Sequence, residues 1–275
     1  MSGYRTATLS ELSVVLGWAA DEGWNPGLDD ADAFYAADPQ GFFVKTDREK
    51  PVGAISVVNH TVGFAFLGLY IVAPQWRGQG VGFGLWQHAI SHAGERTIGL
   101  DGVPAQQANY EASGFVRASS NIRYTGRIEG WSDEDTRDAQ TVDIATLVDV
   151  EAAQSGAHKA GYLTAWFQNT PNRRTLILEN AGAVAGFCTV RKCFNGAKVG
   201  PLWTRTAAQA ERLMRHAATV FGPVVSIDVS ADSQGLTQLC KDLGLTPGFD
   251  TARMYRGPFD PPQTDFFAVT SLELG

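Results

Sequence analysis

A glycine-rich turn is the segment whose residue types most clearly suggest chemistry. It reads Arg77-Gly-Gln-Gly-Val-Gly82 and joins a strand-like run, Phe64–Val72, to a helical pattern over Gly82–Ala93. Glycines let the backbone come close to an anion and adopt a positive φ. The helix that follows presents free N–H groups at the positive end of its dipole. The turn therefore predicts a cradle for a pyrophosphate group.

Two other phosphate-binding patterns do not fit this turn. A nucleoside-triphosphate loop needs Lys-Ser or Lys-Thr directly after its glycines, and here the sequence continues Val81-Gly-Phe-Gly84. A dinucleotide-binding turn is followed, about twenty residues on, by an acidic residue at a strand end. Asp101 is better explained by another role, so we expect a different phosphate-bearing ligand.

The spacing of the turn resembles the acetyl-CoA signature of the GNAT N-acetyltransferase superfamily. The matching residues are Val72-x-Pro74-x-x-Arg77-Gly78-x-Gly80-x-Gly82. A second motif agrees, because a predicted helix over Gln106–Ser113 carries Tyr110 and is followed by Gly114-Phe115. This is similar to the superfamily's helix that ends in Tyr-x-x-x-Gly-Phe.

The first half also resembles a narrower bacterial branch of these enzymes, over roughly residues 4–127. The resemblance rests on Glu22–Gly27, Gly68–Val72 and Leu100–Tyr110. Members of that branch carry a second, degenerate GNAT-like domain at the C-terminus.

The resemblance implies a mechanism of direct attack by a neutral amine on a thioester, without an acyl-enzyme. Tyr110 would protonate the departing CoA thiolate, since a phenol of pKa about 10 suits a thiol of pKa about 8.5. The strand end Tyr70–Val72 would diverge from a strand at Thr97–Leu100, and pantetheine would pair with the exposed edge. A backbone N–H near Ile71 or Val72 would polarise the thioester carbonyl.

The cofactor, acetyl-CoA, is accordingly predicted to contact residues of the strand end, the turn and the Tyr110 helix. These are Tyr70, Ile71, Val72, Arg77, Gly78, Gln79, Gly80, Val81, Gly82 and Asn109.

The general base and the acceptor site have weaker signals. Glu22, at a helix-to-turn junction, and Asp101, at the end of a strand, are the candidate bases, and a chain of water molecules is the alternative. Trp24 and Asn25 are candidate substrate contacts, although Trp24 could instead pack against its own turn. No histidine has a partner pattern that suggests catalysis, and no metal site is expected.

The second half repeats the order of elements of the first, which indicates a tandem duplication. At the position of the glycine turn it reads Thr204–Glu211, without a glycine, and Cys240 stands where Tyr110 would be. We therefore expect one acetyl-CoA per chain, bound by the first half. The second half would cover the active site and shape the acceptor pocket.

Composition sets outer limits on these hypotheses. The 275 residues carry a net charge of −7, which disfavours nucleic acid as a partner and suits a cationic amine. Three cysteines do not make a disulfide framework. The N-terminal residues lack the apolar region of a signal peptide, and no apolar run is long enough for a membrane helix. A cytoplasmic protein is expected.

These observations predict an α/β (α+β) fold of two tandem GNAT-like domains, each with a mixed, mostly antiparallel central sheet flanked by helices. Residues 1–128 would form the catalytic domain, 129–140 a linker and 141–275 the degenerate domain. The expected function is acetylation of a primary amine on a small metabolite. A protein-lysine or N-terminal acetyltransferase and a non-catalytic acyl-CoA sensor stay open, as do monomer and homodimer.

Overall fold

A computed structural model describes residues 3–259, 262 and 264–275. The described residues form eight α-helices: α1 (Leu9–Asp21), α2 (Asp30–Ala37), α3 (Val81–Ala89), α4 (Gln107–Ala112), α5 (Ile144–Ser155), α6 (Ala160–Trp166), α7 (Ala207–Val220) and α8 (Gln234–Asp242). They also form thirteen strands: β1 (Gly3–Thr6), β2 (Phe42–Asp47), β3 (Lys50–Asn59), β4 (Phe64–Val72), β5 (Thr97–Gly102), β6 (Val116–Arg127), β7 (Thr136–Asp138), β8 (Arg173–Asn180), β9 (Ala183–Lys192), β10 (Ala197–Thr204), β11 (Val224–Ser230), β12 (Thr246–Arg256) and β13 (Phe267–Ala268).

The strands form one continuous sheet. Its order over the described residues is β1-β2-β3-β4-β5-β12-β6-β11-β13-β10-β9-β8-β7. Within that part of the chain, β4 with β5 and β10 with β11 are the parallel pairs, and the other pairs are antiparallel. The predicted mixed, mostly antiparallel architecture is confirmed.

The two halves exchange their last long strands. β6, from the first half, pairs with β11 of the second, and β12, from the second half, pairs with β5 of the first. β6 and β12 also pair with each other. The sequence did not indicate this exchange, and because of it the halves share one sheet. The boundaries at 128 and 141 stay a prediction, and β7 lies inside the predicted linker, where it pairs with β8.

Helices cover both faces of the sheet, because side chains of a strand alternate between faces. In β3, Ala54 and Val58 pack in a cluster with α1, whereas Ile55 and Val57 pack beneath α3. The α1 cluster also contains α2, α5 and α6, and so joins the two halves. On the opposite face, α3 and α7 cover separate clusters.

Local sequence explains where α1 begins and ends. Thr8 accepts a hydrogen bond from the backbone N–H of Glu11, whose carboxylate accepts one from the Thr8 N–H. This reciprocal cap satisfies two free donors of the first turn. After Asp21, Gly23 has a φ of 81° and reverses the chain. The reversal places Trp24 beside the end of β4, where the candidate site lies.

Candidate active site

The site is built around a divergence of β4 from β5. Phe64–Leu67 pairs with Thr97–Leu100, and the pairing stops there. The register of β4 against β3 shifts between Gly68 and Ile71, and Leu69 has a φ of 45°. An extra residue of this kind bends a strand. The end of β4 therefore leaves β5 and opens a cleft, as the sequence predicted.

In the glycine turn, Gly78 and Gly80 are required by their backbone conformation. Their φ angles are 72° and 77°, a region that costs an ordinary L-residue about 1–2 kcal/mol. Gly80 immediately precedes α3, and the N–H groups of a first helical turn have no partner within the helix. The turn thus presents backbone donors around a space without side chains.

Gly82 and Gly84 are explained by packing instead. A Cβ on Gly82 would lie 2.8 Å from the Tyr70 hydroxyl oxygen, and one on Gly84 would overlap the hydroxyl of Tyr4. Both glycines let α3 lie close to the sheet. Only part of the motif therefore shapes the turn itself.

Arg77 anchors the turn to its surroundings. Its Nε donates to the Val72 carbonyl oxygen at 2.8 Å, and its guanidinium forms an ion pair with Glu22. Glu22 therefore lies at the glycine turn. It does not line the separate cavity beside Tyr110 that is described below. The Gln79 side chain folds back and donates to the Gln75 carbonyl at 2.8 Å.

Most of the predicted cofactor residues line one cleft above the turn. They are Tyr70, Ile71, Val72, Arg77, Gly78, Gly80, Val81 and Gly82. Asn109 lines an adjacent hollow with Tyr110. Gln79 lines neither of these spaces.

Tyr110 is a buried phenol in the hollow that Asn109 also lines, next to the cleft. Its ring packs on Trp86 and Phe115, with centroids 5.9 and 6.2 Å away, and a Cβ on Gly102 would come within 2.9 Å of it. Burial raises the pKa of Tyr110 above its ordinary value, and the Tyr70 phenol adds to this. The hydroxyl is therefore protonated at neutral pH and able to donate.

Three spaces meet at Tyr70 and Gln106, which line all of them. They are the cleft above the glycine turn, the hollow beside Asn109 and a smaller cavity beside Tyr110. This third space, called the acceptor cavity below, has a volume of about 60 Å³. Its walls are largely apolar: Trp24, Leu67, Leu69, Leu100, Phe249 and Leu272.

Asp101 also lines the acceptor cavity, but its carboxylate is engaged. Arg253 donates to both of its oxygens, at 2.9 and 2.7 Å, and Asn121 donates to Oδ1 at 2.7 Å. Arg253 lies directly opposite Asp101 in the pairing of β12 with β5. This pair clamps the exchanged strand.

The other exchanged strand has an equivalent clamp. Arg123 of β6 lies opposite Asp228 of β11 and donates to both of its oxygens, at 2.7 and 2.9 Å. The repetition indicates that each Arg–Asp pair has a structural role. Sequence reasoning missed it, since the partners are more than one hundred residues apart.

The two predicted substrate contacts have different surroundings. Trp24 lines the acceptor cavity, and its carbonyl accepts hydrogen bonds from Arg123 and Lys198 at 2.8 and 3.0 Å. The Asn25 amide is paired with the backbone of Asn195 in the second half, at 2.8 and 3.0 Å. Asn25 therefore fixes the two halves together and is not part of the cavity wall.

In the second half, the opening that corresponds to this cleft is filled by the chain itself. β13 pairs with Leu202 and Trp203 of β10 and with Val229 of β11. The preceding residues seal it further, because Phe266 accepts from the Thr204 N–H at 3.1 Å and the Asp265 carboxylate accepts from the Gly235 N–H at 2.8 Å. A peptide occupies the strand edge that is free in the first half.

Cys240, at the position that corresponds to Tyr110, packs in the core of the second half. Burial raises the pKa of its thiol to about 12. The three cysteines are free and buried. Cys240 therefore behaves as a packing residue in this half.

Sequence reasoning also missed Glu273, which lines the acceptor cavity together with Leu272. No motif includes these residues, and they lie more than 160 positions after Tyr110. Within the described residues, no group of three or more His, Cys, Asp and Glu side chains is arranged to hold a metal ion. None of the helices described is both long and apolar enough to span a membrane.

Comparison with family models assigns a class to each half. Residues 10–115 match the model of the acetyltransferase (GNAT) family, and residues 147–268 match that of an acetyltransferase (GNAT) domain. The fold and the cleft thus define a protein of two GNAT domains in tandem.

Individual relatives extend the match to the whole chain. Holothin acyltransferase of Pseudoalteromonas sp. (strain SANK 73390) is 32% identical over 98% of this chain and 94% of its own length. The chain belongs to the GNAT family and is an acyltransferase.

Two solved structures share the fold at low sequence identity. A proposed acetyltransferase from Pyrococcus horikoshii superimposes with a TM-score of 0.84 at 18% identity, covering 100% of this chain and 96% of its own. A tandem GNAT protein from the clavulanic acid biosynthesis pathway has a TM-score of 0.64 at 17% identity, over 94% and 100% of the two chains. The tandem arrangement thus has a structural precedent.

Proposed function

We propose that this acyltransferase moves an acyl group, acetyl in the simplest case, from acyl-CoA to the primary amine of a small molecule. The observation that carries the proposal is that three adjoining spaces, which share Tyr70 and Gln106, lie between the glycine turn and Tyr110. They have the order that the reaction needs: anion donors at one end, a strand edge in the middle and a protonated phenol beside a largely apolar cavity.

The residues of the cleft fit the parts of CoA. The N–H groups after Gly80 suit a pyrophosphate. The β5-facing edge of β4 at Ile71 and Val72, which pairs with no other strand among the described residues although Arg77 bonds the Val72 carbonyl, suits the amides of pantetheine. The second half supports this assignment, because there a peptide pairs with the matching edge at Leu202 and Trp203. An edge that accepts a peptide has the spacing for another amide-bearing chain.

Bound acyl-CoA supplies an activated thioester. The backbone N–H near Ile71 or Val72 would polarise its carbonyl, and donors placed where negative charge develops lower the barrier. Tyr110 would give its proton to the sulfur as the carbon–sulfur bond breaks. The raised pKa of Tyr110 keeps that proton available at neutral pH.

The size of the acceptor cavity favours a small molecule over a protein chain. The walls come from both halves, and the volume of about 60 Å³ has room for a few water-sized groups. The relative's name assigns it the acceptor holothin, which makes it an acyltransferase of a named compound and not of protein lysines.

Release of free thiol from acetyl-CoA tests the proposal. The wild type and Tyr110→Phe are compared with n-butylamine, benzylamine, ethanolamine and a lysine-containing peptide, with Tyr35→Phe as the control that loses a phenol elsewhere. We expect turnover with at least one small amine, and a loss of about a hundredfold or more in Tyr110→Phe. The affinity for acetyl-CoA, measured by calorimetry, should be unchanged.

Two results would contradict the proposal. Tight binding of acetyl-CoA without thiol release for any acceptor would make the protein a sensor. Turnover of the peptide alone would make it a protein acetyltransferase.

A further inference from the structure

The last residues of the chain bring Glu273 to the wall of the acceptor cavity of the first half. Glu273 is 4% exposed and lines that cavity. Its Oε2 is buried and has no hydrogen-bond partner among the described residues. A buried carboxylate without a donor is costly, so a group absent from the folded chain is expected to pair with it.

The segment that carries Glu273 is held on both sides. His60 Nε2 is 2.8 Å from the Leu274 carbonyl oxygen, and Lys159 Nζ donates to the Gly275 carbonyl at 2.6 Å. The Leu274 N–H donates to Ser271 Oγ at 3.1 Å. A Cβ on Gly68, in β4, would overlap the Glu273 carbonyl oxygen. The backbone therefore holds Glu273 against the bend of β4.

The other carboxylates around the cavity already have partners. Asp101 is paired with Arg253, and Asp228 with Arg123. Asp30, farther back, is paired with Arg191. Each of these acids receives at least one hydrogen bond from a guanidinium, and among the described residues Glu273 receives none.

Three cations lie close enough to interact electrostatically with Glu273. They are Arg123, Arg191 and Lys198. Each forms hydrogen bonds elsewhere: Arg123 donates to Asp228, one nitrogen of Arg191 donates to Asp30, and Lys198 Nζ donates to the Trp24 carbonyl. The Nε of Arg191 is buried without a partner among the described residues. Tyr162, also nearby, donates to Ser271. The three cations offset the charge of Glu273, and among the described residues no donor is bonded to its Oε2.

We propose that Glu273 binds the amino group of the acceptor as an ammonium ion and then accepts one of its protons. This inference rests on the proposed acyl transfer. It makes the second half a contributor to the chemistry, because its tail supplies the group that receives the amine. The acceptor class is a compact primary amine that is positively charged in solution. The part of the molecule next to its nitrogen is a hydrocarbon group, which suits the largely apolar cavity walls.

The protons balance. The ammonium gives its first proton to Glu273, and the free amine forms the bond from nitrogen to the acyl carbon while the bond from carbon to sulfur breaks. Tyr110 protonates the departing sulfur, and the second proton lost by the nitrogen restores the Tyr110 phenol. Glu273 then releases its proton to solvent.

A pair of CoA thioethers tests the binding step without knowledge of the natural acceptor. One carries the arm S–CH2–CH2–NH3+, which places an ammonium where the attacking amine would lie, and the other carries a propyl arm that ends in a methyl group in place of the ammonium. We expect the wild type to bind the ammonium form about tenfold or more tightly than the methyl form, since a hydrogen bond between charged groups adds that much. Titration calorimetry measures both affinities.

Variants show whether Glu273 causes this preference. Glu273→Gln keeps the shape and should bind the two thioethers with equal affinity, while its affinity for the methyl form stays that of the wild type. Glu273→Asp keeps the charge and should retain part of the preference for the ammonium form. Each variant is compared only if it melts cooperatively, which shows that it is folded. Glu134→Gln, which removes an exposed carboxylate, should behave as the wild type does.

The possible failures are distinct. If the wild type binds both thioethers equally, or if Glu273→Gln keeps the preference, the role of Glu273 is wrong and the CoA site stands. If neither thioether binds, the proposed cofactor site is wrong and this inference falls with it. With an amine that the wild type acetylates, Glu273→Gln should also lose about a hundredfold in kcat/KM for that amine, at an unchanged Kd for acetyl-CoA.

Discussion

The two halves of this chain open their sheets at corresponding places and use the openings differently. In both, a parallel pair of strands diverges where one strand carries an extra residue, near Gly68 in β4 and near Gly200 in β10. The first opening keeps a free strand edge beside a glycine turn, whereas the second is closed by β13. The same fold can therefore hold a ligand or a segment of its own chain, depending on what lies at that edge.

The tail connects the two openings. Its first part fills the second opening, then Val269 and Thr270 pass over Gly200, and Glu273 lies over Gly68. A Cβ on either glycine would meet a carbonyl oxygen of the tail. The closed opening thus anchors a segment that lines a cavity of the open one, so the second half contributes to that cavity although it lacks a glycine turn.

The largest expected effect separates the two openings directly. Gly80→Glu places a side chain and a negative charge where φ is 77° and where a phosphate is expected, so the Kd for acetyl-CoA should rise by more than about a hundredfold. Ala207→Glu at the first position of α7 is the matched change in the second half. Ala207→Glu should leave the stoichiometry at one acetyl-CoA per chain. If calorimetry finds two sites in the wild type, the proposed difference between the two openings is wrong.

The two Arg–Asp clamps allow a sharper test of Asp101. Asp101→Asn and Asp228→Asn each weaken a buried ion pair, and breaking such a pair costs about 3–5 kcal/mol in unfolding free energy when a charge is left unpaired. Urea denaturation should show losses of similar size. If Asp101 were the base, its variant would also lose far more kcat per folded molecule than Asp228→Asn does.

Gly68→Ala should move the tail away from the first opening without touching the glycine turn. The added methyl group overlaps the Glu273 carbonyl, and forced overpacking typically costs about 1–3 kcal/mol. We expect a lower melting temperature and a higher KM for the amine, with the Kd for acetyl-CoA unchanged. Gly63→Ala, whose Cβ would meet nothing within 4 Å, is the control, and equal behaviour of the two variants would contradict the role of the tail.

The smallest effect concerns the anchor at His60. Burial lowers the pKa of His60 to about 3, and the charge of Lys159 adds to this, whereas an unfolded histidine has a pKa of about 6.5. Between these values the unfolded chain binds the extra proton, so the unfolding free energy falls as the pH drops below about 6.5. The unfolding free energy can change by at most about 1.4 kcal/mol per pH unit for one such group. Because His60 is partly exposed, the change is smaller.

Thermal melting between pH 7 and pH 5 measures this slope. His60→Gln retains a donor for the Leu274 carbonyl and should flatten it, whereas His88→Gln, at an exposed position, should not. A slope that His60→Gln leaves unchanged would mean that the tail is insensitive to this histidine.

The cleft could be predicted because its signals are local. Gly78 and Gly80 adopt a backbone that few other residues tolerate, and Tyr110 stands at a fixed distance from Gly114 on one short helix. Steric limits and helical spacing act within a few residues, so they leave a trace in the sequence. For the same reason, the sequence alone showed that the second half lacks the glycine turn, because Thr204–Glu211 contains no glycine.

The walls of the acceptor cavity could not be predicted, because they are assembled from distant segments. Asn25 and Asp101 are suitable residue types near the right motifs, but Asn195 and Arg253 use their polar atoms. Both partners come from the second half, more than 150 residues away. Pairing of a polar group with a remote partner depends on the strand exchange, which no periodicity in the sequence records.

The sequence by itself thus determined the family, the tandem fold and the half that carries the glycine turn. Only the tertiary structure decided that the halves share one sheet, that β13 closes the second opening and that Glu273 lines the same cavity as Tyr110. Its Oε2 has no hydrogen-bond partner among the described residues. The physical reason is the range of the interactions. Backbone conformation is specified by neighbouring residues, whereas the environment of a buried charge is specified by whichever strands meet around it.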